Sequence, residues 1–201
     1  MNLVYRHPIN KQDIIFRRLL RNMSEESKQV VALDRNNELP SRVALFYSMM
    51  ERARRNLLRR VRTLSKETID YSPEPKMIES IGTLLLHIAA VEYGWIFEDI
   101  GGQEMEYEKW KYGFSVREGK DQIKGENLEF YLSRLSEVRQ EVFEFLKTLS
   151  NKDLDSVVEV DSEKVSVEWI LFHLIEHEAM HIGQISVLAR LWKANQNRDP
   201  A

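Results

Sequence analysis

Three of the five histidines in this chain, His173, His177 and His181, recur at four-residue steps. At about 100° per residue, a helix through them lines up His177 with Ile170, Leu174, Gln184, Leu188 and Leu191. His173 and His181 then lie about 40° to either side. These imidazoles face an apolar core, where neutral rings must find partners or cost free energy. Side chains at i and i+4 have Cβ atoms about 5–6 Å apart. Two imidazoles at that spacing can converge on one ion at roughly 2.0–2.1 Å per Zn–N bond. A further histidine, His87, sits among Leu84, Ile88 and Val91 at helical spacing and faces inward for the same reason. Three imidazoles brought together in an apolar interior are hard to satisfy with protein groups alone, and a divalent metal ion resolves that problem. Zinc or nickel suits such a donor set. Three protein ligands with a position left open belong to a catalytic site rather than a closed structural one.

The neighbours of these residues admit more than one role. His177-Glu178-Ala179-Met180-His181 reads as H-E-x-x-H, but a zinc protease needs a third ligand downstream, and only Asp199 follows as a carboxylate. Glu178 lies about 100° around the helix from His177; it can orient an imidazole, act as a base, or form an inter-helix ion pair. Gln184 shares the histidine face and can hydrogen-bond a ligand or water, while Gly183 permits close helix packing. His173 reads as a core or site-edge histidine, and Glu92 as an exposed or inter-helix charge.

The elements that must position these side chains are helical. Phe46, Met50, Ala53, Leu57, Val61 and Leu64 recur at three- and four-residue steps after Pro40, with Ser41 as the expected N-cap. A second helix is expected from Lys76 or Met77 to Asp99, ended by Gly101-Gly102, a third over 128–149, and a fourth from Ser166 to about Asn195. Four amphipathic helices predict an all-α four-helix bundle over residues 41–197. Residues 1–40 read as a helical extension, with Asn10 and Ser24 as candidate caps. The stretch 101–126, rich in Gly and aromatics, reads as a crossover packed over one end of the bundle. Alternating residues over 156–161 and 164–167 predict a small β-hairpin before the last helix. Trp95, Phe97 and Trp110 are candidate anchors for an interface or for the crossover.

Composition narrows the function classes. Zero Cys excludes disulfides, thiolate metal sites and a cysteine nucleophile. The longest apolar run is five residues, Val43 to Tyr47, and no secretory pattern is seen in residues 1–30, so no membrane partner and a cytoplasmic location are expected. A net charge of −3 gives no bulk case for nucleic acid. Residues 1–70 nevertheless hold 15 Lys/Arg against 8 Asp/Glu. Arg52, Arg55, Arg59 and Arg62 lie opposite the apolar stripe as a solvated face does, while Arg54 and Arg60 flank the stripe. Phosphate or carboxylate binding is the alternative use of that face.

Ser80-Ile81-Gly82 leading to His87, and His177-Glu178-x-x-His181-x-Gly183-Gln184-Ile185, resemble the DinB-like (YfiT-related) metal-binding bundles over about residues 41–192. The resemblance implies an up-up-down-down four-helix bundle, often a homodimer, with a metal held by the residues here numbered His87, His177 and His181. It further implies a metal-dependent transferase or isomerase acting on a small-molecule substrate with a low-molecular-weight thiol such as bacillithiol or mycothiol. A non-catalytic, stress-related bundle with a structural metal is the alternative. Family members often carry Arg directly after the second motif histidine, where this chain has Ile182.

Overall fold

The computed structural model describes residues 32–114, 122–160 and 162–197. The extension's expected helices and their caps Asn10 and Ser24 lie outside the described residues, and everything below concerns the unit Leu33–Ala201. Helix α1 spans Ser41–Val61, a short α2 spans Lys66–Asp70, and α3 spans Ile81–Tyr93 and continues as a π-helical segment, Gly94–Ile100. Helix α4 spans Tyr107–Phe114, α5 spans Leu128–Leu146, and α6 spans Val167–Gln196. Strands β1 (Val157–Val160) and β2 (Glu163–Ser166) form the expected hairpin, with Val157 opposite Ser166 and Val160 opposite Glu163.

The fold is all-α, a helical bundle with this one small sheet. Its core combines Leu57 and Val61 of α1, Leu85 and Ile88 of α3, Leu135 and Val142 of α5, and Ile170, Leu171 and Ile185 of α6. Helix α3 is buried on nearly every side, from Ile81 to Glu92. The continuous stretch Ile81–Ile100 is long and apolar enough for a membrane span, but most of it is buried inside the chain.

Several features differ from the sequence expectation, among them the end of α1 at Val61, where the apolar stripe ran on toward Ser65–Asp70, and the end of α5 at Leu146 rather than Leu149. Ser41 is the first helical residue of α1, and Pro40 occupies the N-cap without a side-chain bond. The capping oxygen comes instead from Asn151, whose Oδ1 accepts from the Arg42 N–H at 2.8 Å. Helix α3 starts at Ile81 rather than at Lys76 or Met77, because the Ser80 hydroxyl accepts from the Thr83 N–H and residues 74–78 close a separate turn. The crossover contains α4, which lies along α3 rather than over an end of the bundle: a Cβ added at Gly113 would stand 2.6 Å from the Ala90 Cβ and 3.2 Å from the Leu86 carbonyl oxygen. Trp110 on α4 is fully buried against the core and Phe97 packs on Tyr93 and Phe145, so both serve the interior rather than an interface.

Candidate metal centre

His87 comes from α3, and His177 and His181 come from α6; all three are buried. Their Nε2 atoms converge, at 3.1 Å between His87 and His177 and 3.0 Å between His177 and His181. The remaining nitrogens fix the rings. His87 Nδ1 donates to the Gly113 carbonyl oxygen at 2.6 Å, and His181 Nδ1 donates to Gln184 Oε1 at 2.6 Å. A neutral imidazole that donates from Nδ1 presents a lone pair at Nε2. Two such lone pairs therefore point toward the His177 Nε2, which holds at most one proton to share between them. A cation serves all three at once. Two nitrogens bound tetrahedrally to zinc stand about 3.3–3.4 Å apart, so the observed spacing needs to open by only a few tenths of an ångström. The donor set fits a divalent ion.

Local sequence explains the two orienting contacts. Gly113 is where α4 comes within van der Waals reach of α3, and its lack of a side chain lets its own carbonyl meet His87. Gln184 is three residues beyond His181, one turn along the same face. Burial pushes the His181 imidazole below the usual histidine range, against the raising influence of Gln184 and Glu79. The ring is therefore held neutral, the form that ligates. His173 stays half-buried beside the group, stacked on Trp169 with 4.9 Å between ring centroids and 6.0 Å from the His177 ring.

Behind the histidines lies a polar cluster in which Glu92 and Glu178 take the inter-helix role open to them in the sequence, with arginine partners that the sequence reading did not name. Arg54 of α1 donates through Nε to Glu178 at 2.8 Å and through Nη2 to Glu92 at 2.7 Å. Arg139 of α5 holds Glu92 at 2.5 Å, Glu178 at 3.2 Å and Glu51 at 2.7 Å. Arg54, Arg139, Glu92 and Glu178 are all buried. Burial alone would raise the Glu92 carboxyl, but Arg139 and Arg54 hold it below the usual carboxylate range. Glu178 is thus an inter-helix ion-pair partner rather than a group aimed at the histidines. Both guanidiniums bridge a carboxylate of α3 to a carboxylate of α6, and so they fix the register of the two helices that carry the histidines. Arg54 and Arg139 were findable: each falls on the buried arc of its own helix, beside Leu57 and Val142 respectively, where an unpaired charge is costly.

Arg52, Arg55, Arg59 and Arg60 of α1 are exposed, and Arg59 and Arg60 line a cleft of about 630 Å³ together with Ala179 and Ile182 of α6. A cleft of about 360 Å³ lined by Val91, Trp95, Glu98 and Phe114 lies one helical turn from His87 and next to Trp95, whose ring meets that of His173. A larger cleft of about 740 Å³ opens between α1 and α5 over the arginine–glutamate cluster, and none of these clefts is lined by any of the three histidines.

Comparisons with known proteins give the family and the fold. The uncharacterized protein YkkA of Bacillus subtilis is 21% identical over 160 residues, covering 78% of this chain and 91% of YkkA. The uncharacterized protein YizA of the same organism is 33% identical over 121 residues, covering 56% of this chain. The chain spans 65% of the length of YizA. A conserved protein from Enterococcus faecalis has the same fold, with a TM-score of 0.60 at 15% identity over 73% of this chain and 94% of its own. Residues 49–185, which contain His87, His177 and His181 together with Arg54, Glu92 and Arg139, match the DinB superfamily, and the chain belongs to it.

Proposed function

We propose that this chain is a divalent-metal-dependent enzyme of the thiol S-transferase kind, with His87, His177 and His181 as the ligands of zinc or nickel. A low-molecular-weight thiol of the bacillithiol or mycothiol type would supply the sulfur, since the chain has no cysteine of its own. The observation that carries this reading is the convergence of three Nε2 atoms in a buried site, two of them turned inward by Nδ1 hydrogen bonds. When bound, the ion lowers the pKa of a coordinated thiol or water and makes it a nucleophile at neutral pH. The chain's own residues do the rest. Gly113 and Gln184 select the tautomers, burial keeps His181 unprotonated, and Arg54 and Arg139 hold α3 against α6. Glu178 is engaged by two guanidiniums and takes no part as a base. The cleft beside Trp95 and Phe114 is the approach for a small-molecule substrate. A cytoplasmic setting, where such thiols stay reduced, belongs to the same reading.

The test is a conjugation assay. Metal-loaded protein is offered bacillithiol or mycothiol with an electrophilic acceptor, and conjugate is expected to form and to vanish with chelator or in His177→Ala. Full metal content in His177→Ala would overturn the ligand assignment. A second reading, a structural metal in a non-catalytic bundle, draws on the burial of all three ligands. It predicts a chelator-induced fall in the thermal midpoint with no turnover of either thiol.

A further inference from the structure

Helix α1 and its C-cap carry five exposed arginines, Arg52, Arg55, Arg59, Arg60 and Arg62, over about 15 Å of helix. Arg55 and Arg59 stand four residues apart, and Arg52–Arg55 and Arg59–Arg62 three apart, spacings at which like charges destabilise a helix. The helix C-terminus favours Arg59 and Arg60 in its last turn, but it does nothing for Arg52 and Arg55. Among the described residues none of the five forms an ion pair. Arg42, Arg54, Arg134 and Arg139, by contrast, each meet a carboxylate. The repulsion along α1 is therefore not offset by any described residue.

Two of the five line a cleft. Arg59 and Arg60 stand with Asn56 on the α1 side of the space of about 630 Å³ whose other side is Ala179 and Ile182 of α6. The Arg59 guanidinium gives one N–H to Asn56 Oδ1 and keeps the rest of its donors. Helix α6 brings no carboxylate to this cleft, because Glu178, next to Ala179, turns inward to Arg54 and Arg139. Neighbouring guanidiniums match phosphate oxygens two at a time. A single carboxylate would leave most of the five charges unanswered, whereas linked phosphoryl groups answer several at once. The volume falls in the range of small-molecule sites, about 300–1,000 Å³. A long polyanion finds no continuing track, since the basic run is confined to one helix of a chain with net charge −3. We propose that the cleft between α1 and α6 binds a small oligophosphate, a molecule with two or more linked phosphoryl groups, through Arg59 and Arg60. None of the three histidines lines this cleft, so the site stands apart from the thiol-transfer reading.

The test is calorimetric titration of the metal-free full chain with inorganic tripolyphosphate. Removing metal keeps an ion at the histidines from holding the phosphates itself. About one tripolyphosphate per chain is expected to bind, with affinity falling as salt rises. Arg59→Gln combined with Arg60→Gln is expected to weaken binding at least about tenfold. Arg59→Lys with Arg60→Lys keeps the charge but loses the planar fork, and should weaken it by a smaller factor. Arg190→Gln removes an exposed charge of α6 outside the cleft and should bind like the parent chain. All three positions are exposed, so circular dichroism should be unchanged throughout. Absence of tripolyphosphate binding, or equal weakening in Arg190→Gln and the cleft variants, would overturn the proposal. Sulfate that binds as tightly as tripolyphosphate would overturn the assignment to linked phosphates. Duplex DNA that binds more tightly would overturn the assignment to a small molecule.

Discussion

The buried arginine–glutamate cluster and the buried histidine cluster are built on the same two helices and are satisfied in different ways. Glu92 follows His87 by five residues on α3, and Glu178 follows His177 directly on α6. The carboxylates turn toward α1 and α5 and meet two guanidiniums, so the four buried charges cancel. The imidazoles turn toward α4 and toward one another, and a divalent ion among them would serve all three. One cluster is complete as a protein structure and ties the helices. The other is complete as a ligand set. A bundle can thus carry a rigid tie and a binding centre back to back, because successive residues of a helix face different neighbours.

The sharpest way to break this comparison is to remove a charge from the tie. Arg139→Leu leaves Glu92 and Glu178 buried with Arg54 alone, and a loss of about 3–5 kcal/mol is expected in chemical denaturation of the metal-free chain. Unchanged stability would mean that the cluster is not the tie described. His177→Ala should act the other way round: metal content falls from about one ion per chain to near zero, while metal-free stability changes by less than about 2 kcal/mol. Gly113→Ala should fall between these, since the added methyl presses α4 away from Ala90 and from the Leu86 carbonyl. A cost of about 1–3 kcal/mol is expected, together with faster loss of metal to a chelator as His87 loses its orienting carbonyl.

The smallest effect is in pH. Burial lowers the His181 pKa, so the unfolded chain takes up the proton first, and metal-free stability should decline as the pH falls below the usual histidine value near 6.5. Glu92 is also lowered in the folded state, so its contribution is present above the usual carboxylate range and is lost only as the pH falls through and below it. Two separate declines are therefore expected in the thermal midpoint of the metal-free chain. His181→Ala should remove part of the upper one and leave the lower one in place.

The histidine centre was legible in the sequence because its geometry is local. The four-residue step offers His173, His177 and His181 alike, and it is the resemblance to the DinB-like bundles that singles out His177 and His181 together with His87. The bundle and its hairpin were legible from periodicity and alternation. The tie was legible only in part: an inter-helix pairing was open for Glu92 and Glu178, but the arginines that meet Glu92 come from helices 38 and 47 residues away in sequence. The Ser41 cap failed on similar grounds: the group that caps α1 is supplied by a residue 109 positions downstream of the amide it serves.

That last contact has a consequence for the order of folding. Arg42 gives its backbone N–H to Asn151, and its guanidinium reaches the Asn151 carbonyl, Asp155 and Glu168. The first turn of α1 is thereby knotted to the hairpin and to the first turn of α6. Closing a loop of this length forfeits chain entropy before any contact rewards it, and such non-local closures slow a fold that is otherwise rich in local helical contacts. On the ribosome, the earliest helix of the bundle to emerge must wait with a frayed start until residues 151–168 have been made. Its beginning is settled only when the hairpin and the first turn of α6 arrive.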